Sequence, residues 1–390
     1  MTTRVAFSFP AFLSDLRELV ECESPSTELA AVARSADVVA RVGAARLGVL
    51  PERIVLDGRT HLRWRLGTGP SRVLLVGHHD TVWPTGTLAT TPFSVEDGVV
   101  RGPGCFDMLT GLVMTFHALA SLADVDGVTV LVTGDEELGS PSSRGLIEDE
   151  ARLASAALVL EASADGGALK TERKGVSLYD VRLVGRAAHA GLEPELGVNA
   201  TLELAHQALA VAALADPALG TTVTPTAARA GTTTNTVPAE GSFSVDIRVR
   251  TLAEQDRVDA AMCALVPVQP GALVEVSGGP NRPPLEESSA AALFARARVL
   301  AAELGLPELT EAGVGGASDG NFTAGVGTPT LDGLGAVGGG AHAAHEHVLL
   351  DAVPGRTALL ARLVEDLLAR PVGRPSETTN DLQTSGAARP

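Results

Sequence analysis

The stretch Val128–Gly139, VTVLVTGDEELG, joins a run of apolar and β-branched residues to three consecutive carboxylates. A run of that kind reads as a strand buried on both faces of a sheet. Asp135, Glu136 and Glu137 then stand where the strand ends, in partly dehydrated surroundings where like charges repel. A solvated turn is one account of them. A cation held at the end of the strand is the other, and the rest of the chain has to decide.

Two more continuous apolar runs, SRVLLVG at 71–77 and AALVLE at 156–161, flank this one, with helical patterns at 109–122 and 142–154. Buried strands alternating with helices indicate an α/β fold, a mostly parallel mixed sheet with flanking helices. Upstream, residues 10–22 read as a helix with Phe12, Leu16, Leu19 and Val20 on one face, 27–48 as a second helix, and RIVLD and HLRWRL as short strands. Near residue 168 the texture changes. LKTERKG and VSLYDVRLVG alternate like half-exposed antiparallel strands. A helix at 197–213, the strands GTTVTPTAARAG and GSFSVDIRVR, a helix at 252–265 and the strand ALVEVSG complete a β-α-β-β-α-β order. That is the order of a ferredoxin-like α+β sandwich inserted in the larger unit. From about 287 the helix–strand pattern returns and ends in a helix at 351–369. The division expected is one unit of 1–173 with 284–372, an inserted unit of 174–283, and a polar, disordered tail at 373–390.

The 390 residues are enough for two such units, and 45% hydrophobic with 20% charged residues is ordinary for a soluble globular chain. Aromatics are only 3%, so Ala, Val, Leu and Gly must build the core. The net charge of −17 argues against nucleic acid and anionic membrane as partners, since both need positive surface. It leaves room for an anionic small molecule beside a local Arg. Cys22, Cys105 and Cys263 are scattered and odd in number, which fits a reducing compartment and no disulfide framework. There is no run of ~18 apolar residues to span a membrane. The segment MTTRVAFSFPAFLSDL, broken by Pro10 and followed by Asp15, is a poor signal peptide. A cytoplasmic protein is the expectation.

Open α/β sheets place ligands at the C-terminal ends of their strands. His78, His79 and Asp80 follow SRVLLVG, Asp107 follows the GPG turn at 102–104, and Glu161 ends AALVLE. Far downstream, GGGAHAAHEHV offers His342, His345, Glu346 and His347. Each alone has a structural reading: a lone His is commonly a satisfied core group, and Asp107 could cap the helix near 109. Jointly, imidazoles and carboxylates at five strand or loop ends are a ligand set suited to zinc. Two His, paired carboxylates and one shared Asp suit two metals about 3.5–4 Å apart. Neighbouring Glu136 and Glu137 point in different directions. One can bind metal while the other acts as general base on the attacking water, and the residues do not say which. Asp80, two residues after His78, suits the orienting of a ligating His.

GHHDTVWP, GPGCFDM, GDEELGS, VLE, GRAAHAG and GGGAHAAHEHV occur in this order. Together they resemble the co-catalytic zinc metallopeptidase family of glutamate carboxypeptidase, acetylornithine deacetylase, succinyl-diaminopimelate desuccinylase and aminoacylase. HHDTVWPTGTLATTPFSVEDG and GGASDGNF look closest to the glutamate carboxypeptidase branch. The resemblance implies a zinc aminopeptidase-like catalytic domain, with the sandwich as lid and dimerisation domain. It implies that His78 binds one zinc with Glu161, that His342 binds the other with Glu137, and that Asp107 bridges them. Glu136 would be the general base and Asp80 would orient His78. His189 of GRAAHAG would cross a homodimer interface and stabilise the oxyanion. Asn235 in TTTNTVP and Arg248 in VDIRVR would bind the substrate, with Arg250 competing for Arg248's role and Arg282 in GGPNRPPLE a further anchor for its carboxylate. Ser318 and Asn321 of GVGGASDGN are candidates for a backbone cradle near the substrate. His79, His345 and His347 would be bystanders. The family's DMKGG is here Asp107-Met-Leu-Thr-Gly111, which loses no ligand. The implied reaction is hydrolysis of the amide bond of an N-acyl or peptidyl amino acid with a free carboxylate, a C-terminal glutamate among them. Two Zn are expected, with Co or Mn as substitutes. The alternatives are a small-molecule N-acyl amino acid deacylase and a non-catalytic metal-binding protein.

Overall fold

A computed structural model describes residues 7–373; most of the polar tail expected to be disordered therefore lies outside the described residues. The main sheet uses β1 (Glu52–Leu56), β2 (Arg59–Leu66), β3 (Val73–His78), β4 (Val128–Thr133) and β5 (Ala156–Val159), with Thr330–Leu331 at its far edge. Their spatial order is β1-β2-β4-β3-β5 and then Thr330–Leu331. The pairs from β4 onward are parallel, and the β1–β2 and β2–β4 pairs are antiparallel. The sheet is therefore mixed and mostly parallel at the end that carries the site.

The apolar runs are continuous because both faces of the sheet are covered. Val73 and Leu75 of β3 join the large core with α1 (Phe9–Val20), α2 (Leu29–Leu47), α3 (Thr110–Ala120) and the long downstream helices. Leu74 and Val76 alternate to the other face, where they meet Ile147 and Ala151 of the helix Arg144–Leu153 and Phe322. Successive side chains of a strand point to opposite faces, so every position of β3 is apolar until Gly77 and His78. Leu109, where the family pattern has Lys, is buried in this core.

The inserted sandwich has β6 (Gly175–Val184), β7 (Thr222–Ala230), β8 (Glu240–Val249) and β9 (Leu273–Arg282), in the order β7-β8-β6-β9 and antiparallel throughout. Its helices Ala200–Ala212 and Leu252–Cys263 cover one face, around Val181, Leu183, Phe243, Ile247 and Met262. The other face is half-exposed, which is why these strands alternate. The expected ferredoxin-like sandwich is present.

LKTERKG departs from expectation. Leu169–Arg173 does alternate in burial, but it runs parallel to Glu311–Val314 in a separate pair. A two-residue alternation reports one covered face and carries no information on the direction of the neighbour. The chain's exit to the sandwich and its return are tied together. Arg173 and Leu285 exchange two backbone hydrogen bonds of 3.0 Å, and Asn321 Nδ2 donates to the carbonyls of Lys174 (3.2 Å) and Pro283 (2.8 Å). Ser318 Oγ donates to Asp332, 2.7 Å away. Ser318 and Asn321 are thus buried structural groups of this junction. No helix among the described residues is long and apolar enough to cross a membrane.

Gly111 is required by close packing. A Cβ there would lie 2.1 Å from the carbonyl oxygen of Leu160, where α3 passes over the end of β5. Gly111→Ala is expected to destabilise the protein by about 1–3 kcal/mol, as overpacked cores do. Urea unfolding checks this, and an unchanged midpoint would show that helix and strand separate freely.

Candidate metal centre

Each strand end delivers its group to one pocket. His78 is the last residue of β3 and is buried. Its Nδ1 lies 2.9 Å from the carbonyl oxygen of Asp80, an acceptor only, so the ring proton is assigned to Nδ1. Its Nε2 is buried with no hydrogen-bond partner, 3.6 Å from Asp107 Oδ1 and 3.6 Å from Glu161 Oε1. A buried ring nitrogen with no hydrogen-bond partner, facing two carboxylates, is the donor set a divalent cation needs, and the residues fit one. On the other side His342 Nε2 lies 3.3 Å from Asp107 Oδ2 and 3.2 Å from Glu137 Oε2. Asp107 thus turns one oxygen to each imidazole, and it does not cap α3, whose N-terminus has no side-chain cap. Possible ligand atoms of His78, Asp107 and Glu137 lie within 4.8 Å of one another, as do those of His78, Glu136 and Glu161.

The three carboxylates after β4 divide. Asp135 is buried and accepts from Ser142 N at 2.8 Å, Ser142 Oγ at 2.6 Å and Ser143 Oγ at 2.5 Å, so it fixes the start of the helix Arg144–Leu153. Glu137 faces His342. Glu136 is buried, and Arg282 Nη2 stands 3.0 Å from its Oε1. Asp80 accepts the backbone N–H groups of Glu136 and Glu137, both at 3.2 Å. Its carboxylate is 3.5 Å from His78 Nδ1, so its carbonyl makes the shorter contact to that ring.

The electrostatics follow from crowding. Burial pushes the Glu136 carboxyl well above the usual range, against the pull of Arg282. Burial would raise Asp107 too, but the imidazoles of His342 and His78 beside it outweigh burial and hold Asp107 low. Asp107 and Glu137 raise His342 to about 10. A cation held by these same groups must displace that proton, so its binding is linked to pH.

Of the remaining expected residues, Arg282 reaches this site and the others make their contacts away from it. His189 pairs with Thr236 in a short antiparallel ribbon, and Ala190 N donates to Asn235 O, so His189 and Asn235 are neighbours. His189 Nδ1 accepts from Gly191 N (3.2 Å) and Leu192 N (3.1 Å), which leaves the proton on Nε2. These contacts all belong to the sandwich. Arg248 pairs with Asp246 through two contacts of 2.8 Å, and Arg250 pairs with Glu172 at 2.7 Å. Arg282 is buried beside Glu136. His79 is buried between Ser35 Oγ and the Thr60 carbonyl, and burial lowers it to about 4. Its contacts are structural.

Glu346 stands among the candidate side chains of GGGAHAAHEHV, and the fold gives it a role. It is buried and accepts four hydrogen bonds: Trp83 Nε1 at 2.8 Å, Gly104 N at 2.9 Å, Phe106 N at 2.8 Å and Asp107 N at 3.0 Å. It joins the loop carrying His342 to the loop carrying Asp107. The signal in the sequence is a lone acid four residues after His342, in a loop whose other polar side chains are all imidazoles.

Residues 74–366 match the profile of peptidase family M20/M25/M40. The chain is 34% identical over 295 residues to carboxypeptidase G2 of Pseudomonas sp. (strain RS-16), covering 72% of this chain and 70% of that protein. This protein belongs to the M20 peptidase family. Solved structures share the fold. Aminopeptidase PepT of Bacillus cereus ATCC 10987 matches with a TM-score of 0.70, at 21% identity, over 92% of this chain and 98% of its own. The YXEP protein of Bacillus subtilis, a dinuclear metal binding peptidase of the M20 family, matches with a TM-score of 0.62, at 15% identity, over 93% and 100%. An M20 metallopeptidase is a hydrolase of amide bonds, and the family generally binds divalent metals.

Glu346→Ala strips the acceptor from three backbone N–H groups beside Asp107. It is expected to lower metal affinity by about 10–100-fold, the range seen when such supporting groups are lost. Equilibrium dialysis with zinc reads this alongside thermal unfolding. Unchanged affinity would mean the Asp107 loop holds its shape without the clamp.

Proposed function

We propose that this M20 peptidase is a two-metal amidohydrolase of the carboxypeptidase G2 kind, which cleaves an N-acyl or peptidyl amino acid bearing a free carboxylate. The observation that carries the reading is Asp107, whose Oδ1 faces His78 and whose Oδ2 faces His342. Zinc is the preferred metal for imidazole and carboxylate ligands, with cobalt or manganese as substitutes. His78 and Glu161 would hold one ion, His342 and Glu137 the other, and Asp107 both. When bound, such ions polarise the scissile carbonyl and acidify water.

The chain's own groups supply the rest. Glu136 takes a proton from the attacking water on its carboxylate and returns it to the leaving nitrogen. Asp80 holds the backbone of Glu136 and Glu137 in place. Residues 1–173 with 284–372 form the catalytic unit, and 174–283 form a lid that also dimerises. Asn235 and Arg248 on that lid meet the substrate. His189 donates from Nε2 to the oxyanion of a partner's site. Support for a homodimer is the exposed apolar face of the helix Ala200–Ala212, where Leu209 is 73% exposed, beside the edge strand β7.

Glu136→Gln is expected to keep its metals and lose a factor of about 100 or more in turnover of an N-acyl amino acid panel. Wild-type turnover would refute the base. A mixture tests the shared site. Glu136→Gln and His189→Ala chains, each inactive alone, should regain activity in about a quarter of sites when re-paired at random in a two-fold dimer. No recovery in mixed dimers would return His189 to a local role.

A further inference from the structure

Arg282 ends the last strand of the sandwich, yet its side chain leaves that unit. Its carbonyl accepts from Gln255 Nε2 at 2.9 Å, inside the sandwich. Its guanidinium crosses to the catalytic unit, where Nη2 lies 3.0 Å from Glu136 Oε1, 3.1 Å from the Glu136 carbonyl oxygen and 3.0 Å from Ser140 Oγ. Asp319 Oδ1 is 3.7 Å away. The group also lies over the ring of Phe322, 5.3 Å from its centre. Arg144 sits over the same ring at 5.2 Å and donates from Nη1 to the Asn281 carbonyl at 2.9 Å, which fastens the strand's end.

We infer that Arg282 is a positioning residue for Glu136 and does not receive the substrate's carboxylate. The inference rests on Glu136 being the general base. An anchor must offer its fork to an arriving anion. The side chain of Arg282 is only 9% exposed, and two carboxylates, Glu136 and Asp319, already face it. A third carboxylate would add repulsion without new positive charge. The contacts explain instead how two adjacent glutamates take different tasks. Glu137 has an imidazole in front of it and is placed as a ligand. Glu136 is held through its side chain and its own carbonyl by one guanidinium, which keeps that carboxylate from turning onto a cation. A base must stay near the reacting water but off the metal. Because Arg282 belongs to the sandwich, the position of that unit also sets the position of the base.

The test compares Arg282→Ala and Arg282→Lys with the parent on N-benzoyl-L-glutamate and its α-carboxamide, alongside thermal unfolding to show that each is folded. Arg282→Ala should lower kcat by about a hundredfold, the scale of a lost proton-transfer group, with KM within about threefold. The loss should be equal for both substrates, and Lys should restore part of it. A raised KM confined to the carboxylate substrate, or unchanged rates on both, overturns the inference. A second readout needs no turnover. In the cobalt-loaded protein, Arg282→Ala should change the visible absorption bands as Glu136 turns toward the metal; unchanged bands overturn the inference. The base assignment fails separately, through wild-type kcat in Glu136→Gln in the same assay.

Discussion

Asp80 accepts the backbone N–H groups of both Glu136 and Glu137 at 3.2 Å, while its own carbonyl holds His78 Nδ1 at 2.9 Å. One residue thereby joins the ends of β3 and β4 and sets how the imidazole of one faces the acids of the other. The parallel register makes this possible. His78 lies opposite Thr133 across the β3–β4 ladder, so residues just beyond each strand emerge side by side. β5 adds Glu161 from the other flank of β3. The sheet thus supplies three of the converging groups, and loops supply Asp107 and His342.

Such convergence is costly unless positive charge enters it. Two unit charges 4 Å apart interact by about 4 kcal/mol at an effective dielectric of 20. A few unrelieved pairs of that size would consume the whole stability of an ordinary domain. Asp80, Glu136, Glu161, Asp319 and Asp332 are all buried near the site. Arg282 faces Glu136 and Asp319. Arg173 is 2.6 Å from Asp332 and turns Nη2 toward Glu161 Oε2 at 3.6 Å. Asp107 and Glu137 have the two imidazoles, and they favour the charged form of His342 strongly enough to raise it to about 10. The pocket is built to hold cationic charge, as protons or as metal ions.

Much of this was legible in the chain. The continuous apolar runs report a sheet covered on both faces, and the acids and imidazoles at their ends report a site. The ferredoxin-like order is readable because one face of the sandwich is exposed and its strands alternate. What stayed hidden depends on partners far apart in sequence. Leu169–Arg173 alternates like its neighbours, but pairing direction is set by Glu311–Val314, well over a hundred residues on. Asp135 looks like its two neighbours and is a helix-start acceptor only because Ser142 and Ser143 fold back on it. Glu346 reads as one more charged loop residue until the Gly104–Asp107 backbone is seen to donate to it.

The insertion point matters for the same reason. A sandwich placed on a remote loop would leave the site indifferent to its position. Here its two connections run between groups of the site. Arg173, next to the exit, approaches Glu161, and Arg282, next to the return, holds Glu136. Asn321 bonds both connections, and Arg144 bonds the returning strand at Asn281. Of the two arginines that offset the pocket's negative charge, Arg173 keeps its side-chain contacts within the larger unit and Arg282 ties the smaller unit to it. Moving that unit means drawing the Arg282 guanidinium away from Glu136 and Asp319, which couples the geometry of Glu136 to the unit that carries His189 and Asn235.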